Sequence, residues 1–496
     1  MQATRQATQQ APQQPNWRHI LQPFNTSQGS RQASLAAIGS PRYIKDIHIP
    51  DTPHQSWPQD LIAKVTMDLL QFARIATVII LFAYVPARCH AEDFSSIYFF
   101  GDSLSDVGNL NAVTLGILPG DAYYDGRFSN GPVYSELLAD EFGLGPLRPS
   151  IRGGTGFAYG GGRTSGTSFF EGGLFIRDLD DQIDDLLADD VDADGLYVVF
   201  AGANDFVLGG QTNPAVPVRR IGNQLERLVG QGVQNILSIN LPLLGETPRF
   251  SNDAERMNQL SSDFNSQLNA QLNQLGEAHA DLNLHRFDLA HVMSNVVALD
   301  EQYGFSNVTD ESIRESSADG YLFWDDVHPT TATHRLLATA IFSAFDPDAL
   351  IGDFNFNDQI DKYDVDILGY QITSNDIRGE YDLDGSGSLD IEDVTWALQN
   401  AATQNGDIDL NGRVEFADFI TLSRNFDRAG EEVRWSHGDL DLDLKVGFSD
   451  YLILARNFDS FRDPITSVPE PNAFGWLLLG LIAIIRRRCG CAQRAA

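Results

Sequence analysis

Three short β-branched and aromatic runs, each ending at a sharp turn and separated by helical stretches, constrain this chain more than any other feature. The first is residues 94–100, closed by Gly101. The second is 195–200, leading into Ala201-Gly202-Ala203-Asn204-Asp205. The third is 235–240, leading into Leu241-Pro242-Leu243-Leu244-Gly245. Helical patterns lie at 222–230 and 252–279. Strands alternating with helices predict a parallel sheet covered on both faces. In open sheets of that kind, ligands sit beyond the carboxyl ends of the strands. The three turns are therefore the places to look for chemistry.

The first turn reads Gly101-Asp102-Ser103, and a serine there can expose its hydroxyl and leave its backbone N–H free to face an anion. A glycine-rich run, Gly153-Gly154-Thr155-Gly156-Phe157-Ala158-Tyr159-Gly160-Gly161-Gly162, lacks the spacing and the terminal Lys-Ser/Thr of a phosphate loop. Close backbone approach to a developing oxyanion is its better use. Far downstream stands Phe323-Trp324-Asp325-Asp326-Val327-His328-Pro329-Thr330. His328 has the setting of a base, and Asp325 can hold its tautomer. A helix predicted over 333–343 anchors that loop. Asp102 and Asp205 are read as structural.

These blocks resemble the GDSL, or SGNH, lipase/esterase family, in order, over about residues 95–345. The resemblance implies Ser103 as nucleophile, His328 and Asp325 as its partners, and Gly161 and Asn204 as oxyanion donors. It also implies a three-layer α/β/α, flavodoxin-like catalytic domain that hydrolyses carboxylic esters, with an acyltransferase using the same apparatus as the alternative. A non-catalytic surface protein binding a cohesin or a glycan is the other. The substrate is an ester: a lipid, an acylated glycan or a small ester. Pocket depth is expected to come from loops 116–127 and 166–177. Two positions depart from the family pattern. Gly156 stands where many relatives have asparagine, and Leu243 replaces a common aspartate in a segment that usually reads LPDLG-x-TP. Both departures predict altered local packing without loss of activity.

From Asp353 the chain turns acidic and repetitive. Asp353, Asn355, Asn357, Gln359, Asp361 and Asp364 occupy positions 1, 3, 5, 7, 9 and 12 of a calcium loop. The pattern recurs at Asp382, Asp384, Ser386, Ser388, Asp390 and Asp393, and at Asp407, Asp409, Asn411, Arg413, Glu415 and Asp418. A last copy uses Asp439, Asp441, Asp443, Lys445, Gly447 and Asp450. Position 7 ligates through its carbonyl, so Arg413 and Lys445 are tolerated. Gly387 and Gly412 fill position 6, where a sharp turn is needed; Asp358 and Leu444 stand there in the first and last copies, which predicts weaker binding. The loops run into helices predicted over 416–426 and 448–458. The repeats resemble dockerin modules, which implies a small all-helical region holding structural Ca2+. Such a region serves either as a calcium-rigidified spacer or as a plug for a cohesin-like module.

The ends carry processing signals. Arg74, the apolar run 75–85 and Cys89-His90-Ala91 fit a signal peptide over 67–91, with 1–66 a disordered or misread extension. Val468-Pro469-Glu470-Pro471, the short apolar stretch 473–485 and Arg486-Arg487-Arg488 resemble a bacterial PEP-CTERM sorting signal over 466–496. That resemblance implies an exosortase-type transpeptidase as partner, transient membrane anchoring and delivery to the cell surface or extracellular matrix. The hydrolase domain then spans 92–345 and the repeats 346–465. A formal charge of −34 argues against nucleic acid. Of the three cysteines, none falls between Cys89 and Cys489, so the body has no thiol chemistry and no disulfide.

Overall fold

The computed structural model describes residues 94–166, 168–169, 175–188, 191–375 and 378–459. The segments read as signal peptide and sorting signal, and all three cysteines, lie outside the described residues. Among the described residues no helix is long and apolar enough to cross a membrane.

Strand β1 (Ile97–Gly101) is followed by a small antiparallel pair, β2 (Ser168–Phe169) and β3 (Phe175–Ile176). Then come β4 (Leu196–Phe200), β5 (Asn235–Ile239) and β6 (Asn283–Phe287). β1, β4, β5 and β6 form one parallel sheet in that order, with Phe100 beside Val199 and Val198 beside Leu237. β4 is a continuous apolar run because it is buried on both faces, as a central parallel strand must be. Segment 155–159 extends the sheet past β1: the Phe157 N–H donates to the Phe99 carbonyl at 2.7 Å, and the Phe99 N–H to Thr155 at 3.1 Å. In chain order the strands therefore stand second, first, third, fourth, fifth. That is a doubly wound sheet whose direction of winding reverses between β1 and β4.

The helices form two sets. Tyr134–Glu141 packs against Thr331–Ser343, while Ala215–Gly230 packs against both Leu179–Leu187 and Ala254–Ala278. Right-handed crossovers put the two sets on opposite faces and give three layers. The helices expected from 222 and 333 start earlier, at Ala215 and Thr331, while the one expected from 252 starts at Ala254. β6, Asn-Leu-His-Arg-Phe, was not expected as a strand; it is the sheet's polar, half-exposed edge.

Gly101 closes β1 at φ +144°, and a Cβ there would lie 1.9 Å from the Phe200 carbonyl oxygen. Only glycine permits this turn. The buried Gln182 amide then completes its hydrogen bonding. Its Oε1 accepts from the Gly101 N–H at 2.8 Å, and its Nε2 donates to the Gly101 carbonyl at 2.7 Å. Gly101→Ala is expected to cost about 3 kcal/mol or more of stability, read as a lower urea midpoint at constant slope.

Beyond the sheet, helices Lys362–Thr373, Ile391–Asn400, Phe416–Asn425 and Phe448–Asn457 surround a second core that includes Leu368, Val394, Leu398, Trp435, Val446 and Leu454. Leu299 of the first part belongs to the same cluster, and Tyr303 packs against it. Helix Leu289–Ala298 is bound to this region by buried polar contacts. The His291 ring nitrogen and the Tyr381 hydroxyl lie 2.7 Å apart, and Asn295 bonds both Tyr381 and Gln371.

Candidate active site

Ser103 follows β1 and Asn204 follows β4, on either side of the point where the winding reverses. His328 comes from the loop after a short strand, Tyr321–Phe323. The loop is clamped over the sheet by residues 129–132. The Ser129 hydroxyl donates to the Pro329 carbonyl at 2.9 Å, Thr331 N–H to Asn130 Oδ1 at 2.8 Å, and Thr331 Oγ1 to the Pro132 carbonyl at 2.8 Å. These contacts bring residues more than two hundred positions apart into one line. His328 Nε2 lies 2.9 Å from Ser103 Oγ, and His328 Nδ1 lies 2.6 Å from Asp325 Oδ2.

Asp325 is further held from three sides. Its Oδ1 accepts from the backbone N–H of Val327 at 2.9 Å and of His328 at 2.7 Å, and its Oδ2 accepts from the Tyr123 hydroxyl at 2.7 Å. Burial pushes the carboxyl up. The His328 hydrogen bond and charge, with the two N–H groups, outweigh it and hold Asp325 far below the usual carboxylate range. The geometry suits a serine hydroxyl whose proton passes to imidazole while a carboxylate fixes the tautomer.

Three donors stand on the turns after β1, after segment 155–159 and after β4. The backbone N–H groups of Ser103 and Gly161 have no acceptor among the described residues. Asn204 Nδ2 donates to the Gly162 carbonyl at 3.1 Å, which orients its amide and leaves a second N–H. Gly161 sits at φ +78°, in the left-handed region that favours glycine.

Asp106 and Asn109, which had no assigned role in the sequence analysis, tie these turns together. The fully buried Asp106 carboxylate accepts from the N–H groups of Gly108, Asn109, Leu110 and Gly160 at 2.6–3.1 Å. Burial still pushes it up to about 6. Asn109 Nδ2 donates to the carbonyls of Gly156 and Ala158, pinning the segment beside β1. Asp205 accepts from Thr164 and pairs with Arg220, which places it in the loop's scaffold. Asp102 is buried and accepts from the Leu104 N–H at 3.1 Å; burial pushes it up to about 6. Both keep the structural part given to them above.

Tyr123 lay within a loop expected only to shape the pocket. It touches Asp325 and stacks edge-on against Trp324. That hydrogen bond helps to position Asp325. Hydrogen bonds to a charged group contribute about 1.5–3 kcal/mol, and Asp325 keeps its other donors. Tyr123→Phe is therefore expected to lower kcat about tenfold with KM little changed, in steady-state assays on a nitrophenyl ester.

The four acidic loops share one backbone. Position 1 accepts from the N–H of positions 5 and 6 in each copy, as Asp407 does from Asn411 and Gly412. Position 12 (Asp364, Asp393, Asp418, Asp450) is buried and accepts from the N–H of positions 2 and 9. Positions 4 and 6 have positive φ throughout, including Phe356, Asp358, Leu410, Leu442 and Leu444. The absence of glycine has not changed the turn in the first and last copies; it costs strain instead. Carboxylate oxygens of Asp382, Asp384 and Asp393, of Asp407, Asp409 and Asp418, and of Asp439, Asp441 and Asp443 lie within 4.8 Å of one another. Burial pushes Asp407 up to about 6 and Asp439 to about 7, with neighbouring carboxylates adding to it. A divalent cation would relieve both costs, and an all-oxygen donor set suits a hard one. In the first loop Asn355 is buried; its Nδ2 donates to the Gln302 carbonyl at 3.1 Å, and its Oδ1 has no hydrogen-bond partner among the described residues. Gln359, Ser388, Arg413 and Lys445 offer carbonyls at position 7, while Asp361, Asp390, Glu415 and Gly447 stand at the helix N-termini.

Residues 97–341 match the family model described as GDSL-like Lipase/Acylhydrolase. A phosphatidylcholine-sterol acyltransferase of Aeromonas hydrophila is 28% identical over 49% of this chain and 88% of its own length. A GDSL esterase/lipase of Arabidopsis thaliana is 27% identical over 56% of this chain and 93% of its own length. A crystal structure of a member of the lipolytic protein G-D-S-L family from Veillonella parvula aligns over 51% of this chain and 98% of that one, at 15% identity and a TM-score of 0.31.

Proposed function

We propose that the chain hydrolyses carboxylic esters through Ser103, His328 and Asp325, a reading supported by the match of residues 97–341 to the GDSL-like Lipase/Acylhydrolase family model. The unbroken hydrogen-bonded line from Ser103 Oγ through His328 to Asp325 carries this reading. His328 takes the hydroxyl proton as Ser103 Oγ attacks the ester carbonyl. Charge then gathers on the carbonyl oxygen, which the N–H groups of Ser103 and Gly161 and the Asn204 amide receive. Each such donor is worth about 3 kcal/mol in the transition state. His328 next protonates the leaving alcohol and later activates the water that frees the acyl group from Ser103. Labelling by a fluorophosphonate, together with turnover of a nitrophenyl ester, tests the assignment; an unlabelled, inactive chain sinks it.

An alcohol in place of that water makes the same machinery an acyltransferase. The likeness to a protein named as a sterol acyltransferase favours keeping this second reading. Product analysis with a competing alcohol separates the two. The acidic loops hold structural Ca2+ in this proposal: Asp382, Asp384 and Asp393 in one, Asp407, Asp409 and Asp418 in the next, Asp439, Asp441 and Asp443 in the last. Export by the segment at 67–91 and sorting by the segment at 466–496 complete it, and size fractionation of secreted protein checks both cuts.

A further inference from the structure

A cleft of about 560 Å³ lies at the sheet edge formed by segment 155–159, and none of Ser103, Asp325, His328, Gly161 and Asn204 lines it. Its size falls within the range of small-molecule sites, about 300–1,000 Å³. The walls are Tyr98 of β1, Thr155, Phe157 and Tyr159 of the edge segment, and Arg177 and Asp185. Gly153-Gly154-Thr155, the start of the glycine-rich run, borders it, whereas the ester chemistry above draws only on the far end of that run, at Gly161.

The lining combines two kinds of surface. The Tyr98 ring stacks on Tyr197 at 4.6 Å, and the Phe157 ring on Phe100 at 5.3 Å. Each ring is therefore held rigid by the core, and half-buried Tyr98 presents its uncovered part to the cleft. Beside the rings stand polar groups with capacity to spare. The Thr155 carbonyl accepts from Phe99, but the Thr155 N–H and hydroxyl have no partner among the described residues. Arg177 and Asp185 pair through one nitrogen and one oxygen at 3.0 Å, with side chains 45% and 38% exposed. The pair leaves further guanidinium donors and a second carboxylate oxygen for a ligand. Its charges cancel.

A neutral sugar matches both surfaces. Its hydroxyls each donate and accept, as the ion pair and Thr155 require, and the C–H face of a pyranose packs on an aromatic ring. An anionic ligand would meet Asp185 on a chain of formal charge −34. An alkyl chain would strip water from the ion pair and replace none of its hydrogen bonds. We infer that this cleft binds a neutral oligosaccharide and is a carbohydrate site separate from the catalytic serine. Binding there does not depend on the ester-hydrolase reading.

The test is isothermal titration calorimetry on the full-length chain with xylohexaose, cellohexaose and mannohexaose. At least one should bind saturably, and Ser103→Ala should bind it equally well. Arg177→Ala and Asp185→Ala alter an exposed pair and should each weaken binding about tenfold or more, with melting temperature and nitrophenyl acetate turnover unchanged. Tyr98→Leu should weaken it too, by removing the ring. A wild-type chain that binds none of the three overturns the inference. So does binding that neither Arg177→Ala nor Asp185→Ala moves, since the sugar then sits elsewhere. Tighter binding of hexagalacturonate, or of phosphatidylcholine vesicles, overturns the neutral-sugar class.

Discussion

Ser103→Ala is expected to reduce kcat on a nitrophenyl ester by about ten-thousand-fold or more, with the fold unchanged. In the proposed mechanism the alcohol is the bond-forming group, and among the described residues the atom hydrogen-bonded to His328 Nε2 is Ser103 Oγ, at 2.9 Å. What survives should be the residual effect of the oxyanion donors and of binding, since groups that act as one unit lose most of their effect together. For the same reason His328→Ala should match Ser103→Ala in size, and the double variant should be no worse than either. Circular dichroism and a fluorophosphonate label serve as controls. Near-wild-type turnover by Ser103→Ala would overturn the assignment. Additive losses would show that the two side chains act in separate steps.

Chelation should produce the second large change, in stability rather than in chemistry. Three acidic clusters each bring carboxylate oxygens within 4.8 Å of one another, and the position-12 aspartates are buried. Like charges so placed repel, and burial adds a desolvation cost; both oppose folding unless a cation is bound. A cation at about a hundred times its dissociation constant contributes about 2.7 kcal/mol per site. Removing calcium with a chelator should therefore lower the melting temperature and reduce helical ellipticity. Readdition of calcium should restore both, and magnesium less well, because it demands a tighter octahedral shell. Helix Leu289–Ala298 is bound to this region through Tyr381 and Gln371, so loss of the cation should also loosen its packing. Superimposable melts with and without chelator would rule out the calcium assignment.

The readings that rest on local rules were legible in the sequence. Apolar β-branched runs made β1, β4 and β5 visible, because a strand buried on both faces is mostly apolar; β5 keeps that signal despite its buried Asn235 and Ser238. β6 was not visible: at the sheet's edge Asn283, His285 and Arg286 are tolerated, and the alternation signal is lost. The acidic loops were visible because each turn is dictated by residues within one short stretch. Yet the left-handed backbone of Phe356, Leu410 and Leu442 at position 4 was hidden, since no glycine marks it.

What the sequence by itself determined was therefore the set of chemical groups and their local settings: a serine at a strand-ending turn, an imidazole three residues after a carboxylate, carboxylates at alternate positions of tight loops. Short-range dihedral and hydrogen-bond requirements impose those patterns on any chain that makes them. The tertiary structure alone decided which groups meet. Tyr123 on Asp325, Gln182 on Gly101 and Leu243 facing the helix of Met293 and Val297 join residues far apart in the chain. Such contacts leave no local periodicity to read, because they arise from packing three layers around one sheet.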